Sequence, residues 1–448
     1  MASTEFNSVI IGGGLNGPLM ALLLARRGHT VNLYEMRPDP RRESTAAGRS
    51  INLTIATRGF SALRRADLEE EVKKKLCTPL ASRAVHRRSG PVSHTRYGIR
   101  DEEQLYAVSR NELTNYLLDA AAAEPGVTLH FRQRCEGLDL AAGTVDFHDT
   151  GTDARHTVRA DLVIGADGAH STVRRLMHRG RFVDYSQQFV PWRYREIGIS
   201  AEAAAAAGLS PSSLHVWPRG NHMMFALPSQ DGSFNGVCVL PEEGESSFAA
   251  LRSAAEVESF FRSSFPDIAG FLPELARDFL AVPPAAFQTT KTSSWYYRDK
   301  AVLIGDACHS VIPFYGQGMN AGFEDCIMLD DCLAGSGSDL EAAFACYQRL
   351  RRPHTDVLAD LSIANFDELR DTVLRRSVTA RKDLLLTLSR LTGNRIRPLY
   401  SRIAHSSIPY ADCVASARKQ ERLLRLCGLD VAVGALAAWR GLARLVRR

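Results

Sequence analysis

A glycine-rich turn near the N-terminus constrains the fold of this chain more than any other feature. A short β-branched run at residues 9–11 leads into residues 12–17 (GGGLNG), and a leucine-rich helical pattern follows. A second strand pattern at residues 30–34 ends on Glu35. The order strand, GxGxxG turn, helix, strand and acid is typical of a dinucleotide-binding unit.

The residue types in this motif suit a bound pyrophosphate. Gly12, Gly14 and Gly17 permit a tight turn, the close approach of the phosphates and close packing of the helix on the strand. The N-terminus of the helix offers free N–H groups and a partial positive charge. Glu35 can accept hydrogen bonds from ribose hydroxyls. We therefore expect an unphosphorylated ADP-ribose, such as that of FAD or NAD.

Composition excludes several other classes of protein. The 448 residues, 45% hydrophobic and 23% charged, indicate a globular chain of roughly two to three domains. Nine scattered cysteines without a CxxC pair argue against a disulfide framework and a structural zinc site, and suit a reducing compartment. Eight cationic and three acidic side chains in residues 411–448 account for the net charge of +5. The rest of the chain is neutral, which disfavours nucleic-acid binding.

Neither a secretory signal nor a run of roughly 20 apolar residues is evident, so we expect a cytoplasmic protein. The apolar segment 428–439 is interrupted by Asp430 and followed by arginines. It is either a terminal helix packed on the protein, which we prefer, or a helix in weak contact with a membrane surface. The sequence does not decide between a monomer and a homodimer.

Hydrophobic patterns predict an α/β fold. We expect a discontinuous Rossmann-like FAD-binding domain with an inserted, mainly antiparallel β-sheet substrate domain, and a C-terminal helical region. The sheet is predicted because residues 185–240 carry short alternating runs. Residues 338–425 are helical almost throughout, with breaks at Pro353 and Pro398. The predicted boundaries are 1–75, 103–184 and 290–350 for the FAD-binding domain, 76–102 and 185–289 for the sheet domain, and 351–448 for the helical cap and basic tail.

Two later strand patterns end in an aspartate within a glycine-bearing turn. Residues 161–164 precede Asp167, and residues 301–304 precede Asp306. An acid in this place can bond a ribitol hydroxyl, and the next helix N-terminus can face phosphate or flavin carbonyls. Each turn alone is more often an Asx-capped turn. Their order after GxGxxG makes chance a poor explanation.

Taken together, the three motifs resemble those of the single-component FAD-dependent aromatic hydroxylases, which have the fold of para-hydroxybenzoate hydroxylase. The resemblance runs from about residue 8 to about residue 400. Within this family, several stretches are similar to the kynurenine 3-monooxygenases. They are residues 48–53 (GRSINL), 108–110 (VSR), 184–188 (DYSQQ) and 313–326 (PFYGQGMNAGFEDC).

The resemblance implies a clamp for the carboxylate and amine of an amino-acid substrate. Its four members match Arg83, Tyr97, Asn365 and Tyr400. An arginine offers two parallel donors to a carboxylate, and a phenol adds another. Without the family pattern, Arg83 would pass as a surface charge and Tyr97 as a core tyrosine. The apolar candidates for the aromatic pocket, any of which could instead belong to a core, are Pro313, Phe314, Leu214, Met223 and Phe234.

The resemblance also implies the FAD contacts. The loop at residues 316–320 would bring backbone N–H groups close to flavin N1 and the C2 carbonyl, where negative charge develops on reduction. We expect no metal, no catalytic side chain and no His/Asp pair at the site, and we interpret His309 as structural. The predicted cofactor-binding residues are Gly12, Gly14, Asn16, Gly17, Glu35, Met36, Arg37, Thr54, Arg110, Cys135, Thr172, Asp306, Gly318, Met319 and Asn320.

The implied reaction is an NADPH- and O2-consuming hydroxylation of L-kynurenine to 3-hydroxykynurenine through a flavin C4a-hydroperoxide. Tyr315 occupies a position that varies in the family and could reshape the pocket. A hydroxylase of another aminoaryl amino acid or phenolic acid therefore remains an alternative. A non-catalytic FAD-binding sensor is a weaker one, because the pocket motifs are intact.

Overall fold

A computed structural model describes residues 5–43, 51–98, 100, 102–271, 274–369, 376–393 and 395–426. Its contacts divide the chain into two compact units. Unit 1 comprises Met1–Thr78, Tyr106–Pro191 and Ala285–Ser362, and unit 2 comprises Pro79–Leu105, Trp192–Pro284 and Ile363–Arg448. The three-domain boundaries given above stay a prediction.

The elements alternate between strands and helices in the first part of the chain and become helical after residue 317. The strands are β1 (Asn7–Ile11), β2 (Thr30–Glu35), β3 (Asn52–Ile55), β4 (Cys77–Leu80), β5 (Ser82–Val85), β6 (Ser93–Arg96), β7 (Leu105–Ser109), β8 (Val127–Phe131), β9 (Gln133–Asp139), β10 (Thr144–Asp149), β11 (Arg155–Arg159), β12 (Leu162–Gly165), β13 (Tyr185–Ile199), β14 (Ser213–Pro218), β15 (Met223–Pro228), β16 (Phe234–Pro241), β17 (Ala285–Thr292), β18 (Tyr296–Tyr297) and β19 (Ala301–Leu303). The helices are α1 (Asn16–Arg26), α2 (Thr57–Arg65), α3 (Glu69–Leu76), α4 (Arg110–Ala122), α5 (Thr172–His178), α6 (Ala201–Ala206), α7 (Ala254–Ser264), α8 (Pro266–Ala269), α9 (Leu275–Ala281), α10 (Asp306–His309), α11 (Gly318–Ser336), α12 (Leu340–Asp367), α13 (Arg376–Leu391), α14 (Leu399–Ala404) and α15 (Tyr410–Leu426), with a 3₁₀ turn at Pro313–Tyr315.

Unit 1 is built on a six-stranded sheet in the order β18-β19-β12-β1-β2-β8. Its strands are parallel except for β18 at one edge. In β1, residues 8–11 are buried and residues 9–11 are apolar, as expected for a central strand covered on both faces. Because the carboxyl ends of parallel strands meet at one edge, the turns after β1, β2, β12 and β19 gather there. The predicted Rossmann-like fold is confirmed.

Unit 2 contains strands in the order β13-β16-β15-β14-β5-β6. Neighbours are antiparallel except β14 and β5, which run parallel. One face of this sheet packs on α7, α8 and α9 through a cluster of buried side chains that includes Trp217, Phe261 and Phe265. The mainly antiparallel inserted sheet and the C-terminal helices are confirmed.

The break predicted at Pro353 is wrong, because α12 continues through this residue. An internal proline removes one helical hydrogen bond at a cost of about 3 kcal/mol. Tertiary packing offsets that cost. Tyr347 and Leu358 are fully buried on either side of the proline, and Arg351 is held in ion pairs.

Within the described part of the chain, none of the helices combines the length and the apolar composition needed to cross a membrane. The apolar segment 428–439 and the final arginines lie outside the described residues.

Candidate functional site

In the glycine turn after β1, two glycines have no room for a side chain and a third faces open space. Gly12 has a φ of +114°, and a Cβ there would lie 2.4 Å from the carbonyl oxygen of Ala166. A Cβ at Gly17 would lie 1.9 Å from the carbonyl oxygen of Gly12. Gly14, in contrast, has nothing within 4 Å of its ideal Cβ, so the N-terminus of α1 faces free space. This is the place where a pyrophosphate fits.

Glu35, at the end of β2, is hydrogen-bonded to the same turn. Glu35 accepts a hydrogen bond from the Gly13 N–H (2.7 Å) and one from the Arg37 N–H (3.0 Å). A carboxylate has about four acceptor sites, so lone pairs remain for ribose hydroxyls. Met36 and Arg37 are exposed beside it.

The two later aspartates differ in their partners. Asp167 accepts hydrogen bonds from the Ser171 hydroxyl and from the N–H groups of Thr172 and Val173. It therefore satisfies the first two N–H groups of α5, whose N-cap residue is Ser171. The side chain of Asp306 is exposed and has no hydrogen bond within the described residues. Only this second acid is free to bond a ligand hydroxyl.

Although Asp306 has solvent-exposed surface, the protein atoms around its carboxyl partly desolvate it and raise its pKa. The positive charges of His309 and Arg110 act in the opposite direction. Asp306 opens α10, next to Gly305.

Asn16 joins three of the predicted cofactor segments. A Cβ at Gly305 would lie 1.9 Å from its amide nitrogen, and one at Gly322 would lie 2.5 Å from the same atom. The glycine turn, the turn before Asp306 and the start of α11 therefore converge on this side chain. The Oδ1 atom of Asn16 is buried without a hydrogen-bond partner in the described residues. An incoming donor can satisfy it.

The loop before α11 is held by the amide of Asn320. Its Oδ1 accepts the Ala56 N–H (2.8 Å), and its Nδ2 donates to the carbonyl oxygens of Thr54 (2.9 Å) and Gly316 (3.0 Å). The side chain is thus used by the backbone, and the groups left to a ligand are the first N–H groups of α11, from Gly318 onward.

A buried charge network lies behind this loop, and sequence reasoning missed it. Asp325 pairs with His309 and accepts hydrogen bonds from Arg351 Nε (2.7 Å) and the Gly305 N–H (3.0 Å). The sequence predicts no His/Asp pair at the site, and the pair found here lies behind the loop. The pair is fully enclosed, however, and fixes the turn that carries Asp306, in agreement with a structural His309.

The network extends to α2 and α12. Glu324 bonds the Arg58 guanidinium (2.7 Å) and that of Arg351 (3.0 Å). Burial lowers the pKa of His309, but the Asp325 charge more than offsets this and holds that pKa well above its ordinary value. Burial raises the pKa of Asp325, but His309 and Arg351 more than offset this and hold it below the ordinary value. Both groups of the pair are charged.

Cys308 completes a group of three potential metal ligands with His309 and Asp325, whose donor atoms lie within 4.8 Å of one another. The Asp325 oxygens already accept from Arg351 and from the Gly305 N–H. A metal would have to displace these bonds.

Two other predicted cofactor residues are less accessible. Cys135 is buried in β9, and burial raises the pKa of its thiol to about 12. The Thr172 N–H is already bonded to Asp167. Their contacts with a cofactor stay predictions.

Three of the four predicted clamp residues come together in unit 2. The guanidinium carbon of Arg83, on β5, lies 6.0 Å from the ring centroids of both Tyr97 and Tyr400. The two tyrosine rings are 5.8 Å apart. Arg83 Nε and the Tyr97 hydroxyl are buried without a hydrogen-bond partner in the described residues.

Unpartnered buried donors cost about 1–3 kcal/mol each, so this cluster is poised to take an acceptor. In the described residues no carboxylate forms an ion pair with Arg83. Burial lowers the Arg83 pKa, but Tyr97, Tyr400 and the negative charge of Glu368 together more than offset this, so the pKa is raised and the guanidinium stays charged. Burial raises the pKa of both Tyr97 and Tyr400, which keeps their hydroxyls protonated.

The remaining substrate candidates are placed less uniformly. Asn365 is half-buried in the last turn of α12, next to Phe366, which packs edge-to-face on Trp192 at 5.4 Å. Its place in the clamp stays a prediction. Leu214 pairs in register with Arg83, so the two side chains share a face of the sheet. Phe234 instead belongs to the core on the helix-covered face.

Met223 is fully buried in unit 2. In unit 1, Phe314 is buried and contacts Phe287, with ring centroids 5.0 Å apart, whereas Pro313 is exposed.

Comparison with known proteins gives a consistent result. A family model described as an FAD binding domain matches residues 5–362. Kynurenine 3-monooxygenase of Salinispora tropica is 44% identical over 441 residues, which cover 98% of this chain and 97% of the relative. The enzyme of that name from Salinispora arenicola is 46% identical over 443 residues, with the same coverage, and that from Myxococcus xanthus is 38% identical over 401 residues, covering 90% and 86%.

Solved structures share the fold at low identity. The tetrameric form of 2-methyl-3-hydroxypyridine-5-carboxylic acid oxygenase superposes with a TM-score of 0.68 at 21% identity, covering 86% of this chain and 96% of that one. PqsL of Pseudomonas aeruginosa, in complex with 2-aminobenzoylacetate, gives 0.66 at 21% identity, covering 82% and 97%.

Proposed function

Because this chain belongs to the kynurenine 3-monooxygenase family of FAD-binding flavoproteins, we propose that it hydroxylates L-kynurenine to 3-hydroxykynurenine with NADPH and O2. Membership of this family makes the chain an FAD-dependent aromatic hydroxylase. The observation that carries the choice of an amino-acid substrate is the cluster of Arg83, Tyr97 and Tyr400. Within it, Arg83 Nε and the Tyr97 hydroxyl are buried without a hydrogen-bond partner among the described residues.

The residues of unit 1 fit FAD part by part. The open space at Gly14 and the N-terminus of α1 would take the pyrophosphate, and Glu35 the ribose hydroxyls. The unpartnered Asp306 carboxylate would accept from the ribitol chain. The first N–H groups of α11 would stabilise negative charge on the flavin ring. Once bound and reduced by NADPH, FAD supplies the activated oxygen.

The clamp of unit 2 would bind the amino-acid end of the substrate. Arg83 offers parallel N–H donors that suit the planar carboxylate, and the Tyr97 hydroxyl adds a further donor. The Asn365 amide would accept from the substrate ammonium. Binding of this kind orients the ring without touching it. The aniline nitrogen of kynurenine already donates electron density to the ring, so no protein base is required.

Steady-state oxidation of NADPH by the purified, FAD-loaded chain tests the proposal. L-kynurenine should stimulate oxidation, and mass spectrometry should find a product heavier by one oxygen atom. Repeating the assay with NADH measures the preference between the two reductants. Stimulated oxidation that yields only hydrogen peroxide would mean that kynurenine mimics another aminoaryl substrate. No stimulation would overturn the kynurenine assignment.

A further inference from the structure

A buried ion pair connects the two segments of unit 2 that carry the tyrosines of the clamp, and no step of the proposed function uses it. Arg397 Nη2 donates to Glu103 Oε1 at 2.7 Å, although the two residues lie 294 positions apart in the chain. Their side chains are only 14% and 13% exposed. Glu103 lies in the loop that leads from Tyr97 to β7, and Arg397 lies just before α14, which carries Tyr400.

On the sheet side, Glu103 packs against the residue that follows Tyr97. A Cβ at Gly98 would lie 2.1 Å from Glu103 Cβ and 2.4 Å from the Glu103 carbonyl oxygen. The second carboxylate oxygen of Glu103 accepts from the Arg100 N–H at 3.4 Å. The Tyr97 N–H donates to the Ala81 carbonyl oxygen at 3.2 Å, next to β5. Since only a glycine allows this close packing, the position of Glu103 is tied to that of Tyr97.

On the helix side, Arg397 is held by bonds that do not involve Glu103. Its Nε donates to the Ser401 hydroxyl at 3.2 Å. Its N–H donates to Gln420 Oε1 at 2.9 Å, and its carbonyl oxygen accepts from Gln420 Nε2 at 3.2 Å. Arg402 Nη2 donates to the same Oε1 atom at 2.9 Å. Helices α14 and α15 are therefore bonded to each other, with Tyr400 near the end that carries Arg397.

The separation of Tyr97 and Tyr400 depends on how α14 lies on the sheet. The two rings touch without a hydrogen bond from the Tyr97 hydroxyl, which has no partner among the described residues. At the far end of α14, His405 is hydrogen-bonded to the backbone of Tyr97. Loss of the Glu103 pair would therefore free the end of α14 near Tyr400, while the other end stays attached.

Burial makes the ion pair able to set this position. Attraction between opposite charges grows as water is excluded from around them. Removal of one partner leaves the other charge buried and uncompensated. That charge regains water if the two segments move apart, and Tyr400 would then move away from Tyr97.

We propose that Glu103 and Arg397 are positioning residues of the clamp, which hold Tyr400 against Tyr97 and Arg83 and so set the space that receives the substrate carboxylate. This proposal rests on the proposed function of the Arg83 cluster as the carboxylate site. Neither Glu103 nor Arg397 needs to touch the substrate for this role.

The test uses the full-length, FAD-loaded protein with the variants Glu103→Gln and Arg397→Gln. In each, KM for L-kynurenine should rise roughly tenfold, the effect of losing one charge-assisted hydrogen bond. The value of kcat should stay within about twofold, because the clamp binds the ground state and the transition state alike. The double variant should have no higher KM than the single ones, since all three break the same pair.

Two further variants keep the comparison interpretable. Glu103→Asp keeps the charge and shortens the side chain, so it should raise KM by only about threefold, and it serves as the test if the glutamine variants do not fold. Arg381→Gln is the matched control, because Arg381 on α13 makes a similar pair with Glu421 on α15 at 2.7 Å, away from the clamp tyrosines. Its KM should equal that of the wild type. Retained FAD and Tm establish that each variant is folded.

Kynuramine, which is kynurenine without its carboxylate, separates positioning from a general structural role. Its inhibition constant against L-kynurenine should change by less than about twofold in Glu103→Gln and Arg397→Gln, because it has no carboxylate for the clamp to hold. A structural defect would weaken both compounds equally.

Two results would overturn the proposal: folded variants of Glu103 and Arg397 that keep the wild-type KM, or a loss of kynuramine binding as large as that of kynurenine. If the wild type itself does not turn over L-kynurenine, the proposed function fails instead.

Discussion

Replacing Arg83 with glutamine should separate substrate binding from catalysis. The pair between a guanidinium and a carboxylate contains two charge-assisted hydrogen bonds of about 1.5–3 kcal/mol each. A glutamine amide can still give one neutral bond of about 1 kcal/mol. The net loss of about 3 kcal/mol corresponds to a roughly 100-fold rise in KM for L-kynurenine. The value of kcat should change little, because the interaction is equally strong in the ground state and the transition state.

The same substitution should not reduce the stability of the substrate-free protein. In the substrate-free protein the Arg83 charge is half-buried, and its Nε has no partner among the described residues. Its removal breaks no ion pair there, so the free energy of unfolding should stay within about 0.5 kcal/mol of the wild type or increase.

Steady-state kinetics and urea unfolding of Arg83→Gln measure the two effects. Arg193→Gln is a suitable control, because Arg193 lies in the same sheet but pairs with the exposed Glu242. An unchanged KM would refute the role of Arg83 as the carboxylate ligand. A large loss of stability with unchanged KM would make Arg83 a structural residue.

Further predictions concern unit 1. Gly14→Ala should weaken FAD binding without loss of stability. Gly17→Ala should instead destabilise the apoprotein, because its Cβ would overlap a carbonyl oxygen. Flavin fluorescence measures FAD binding, and apoprotein melting measures stability. Asp306→Ala should weaken FAD binding by roughly tenfold or more in the same titration, through loss of charged acceptor bonds. Asp325→Asn should cost about 3–5 kcal/mol in urea unfolding. Because the folded-state pKa of His309 is raised, thermal stability of the wild type should fall as the pH rises through that pKa. Because the folded-state pKa of Asp325 is lowered, thermal stability should also fall as the pH drops through that pKa. Asp325→Asn should weaken both pH dependences. Equal Tm values for the glycine variants, unaltered FAD affinity in Asp306→Ala, or an undiminished pH dependence in Asp325→Asn would contradict these expectations.

The features predicted correctly from the sequence are those with local causes. In the GxGxxG turn, the local backbone geometry determines which residue type can occupy each position. Gly17, for example, has no room for a side chain. Glu35 follows at a spacing set by one helix and one strand. The Arg83 cluster was found only through the family resemblance, because its members are brought together from distant parts of the chain.

The features that escaped prediction depend on contacts between distant residues. The Arg58–Glu324 pair joins residues 266 positions apart. Asp167 and Asp306 occupy similar sequence contexts. Only the folded environment shows that Asp167 is hydrogen-bonded to the start of α5, whereas Asp306 is not bonded within the described residues. Pro353 stays inside a helix because packing outweighs its local preference.

The parallel pairing of β5 with β14 has no sequence signal of its own either. It places His86 beside His215, 129 positions away along the chain, so this contact could not be predicted from spacing.

Oxygen labelling tests the central claim most directly. The FAD-loaded protein would be supplied with NADPH and L-kynurenine under ¹⁸O2, and the products weighed by mass spectrometry against NADPH consumed. The account predicts one ¹⁸O atom in 3-hydroxykynurenine for each NADPH oxidised. Unlabelled kynurenine recovered intact, with all the oxygen appearing as hydrogen peroxide or water, would contradict it.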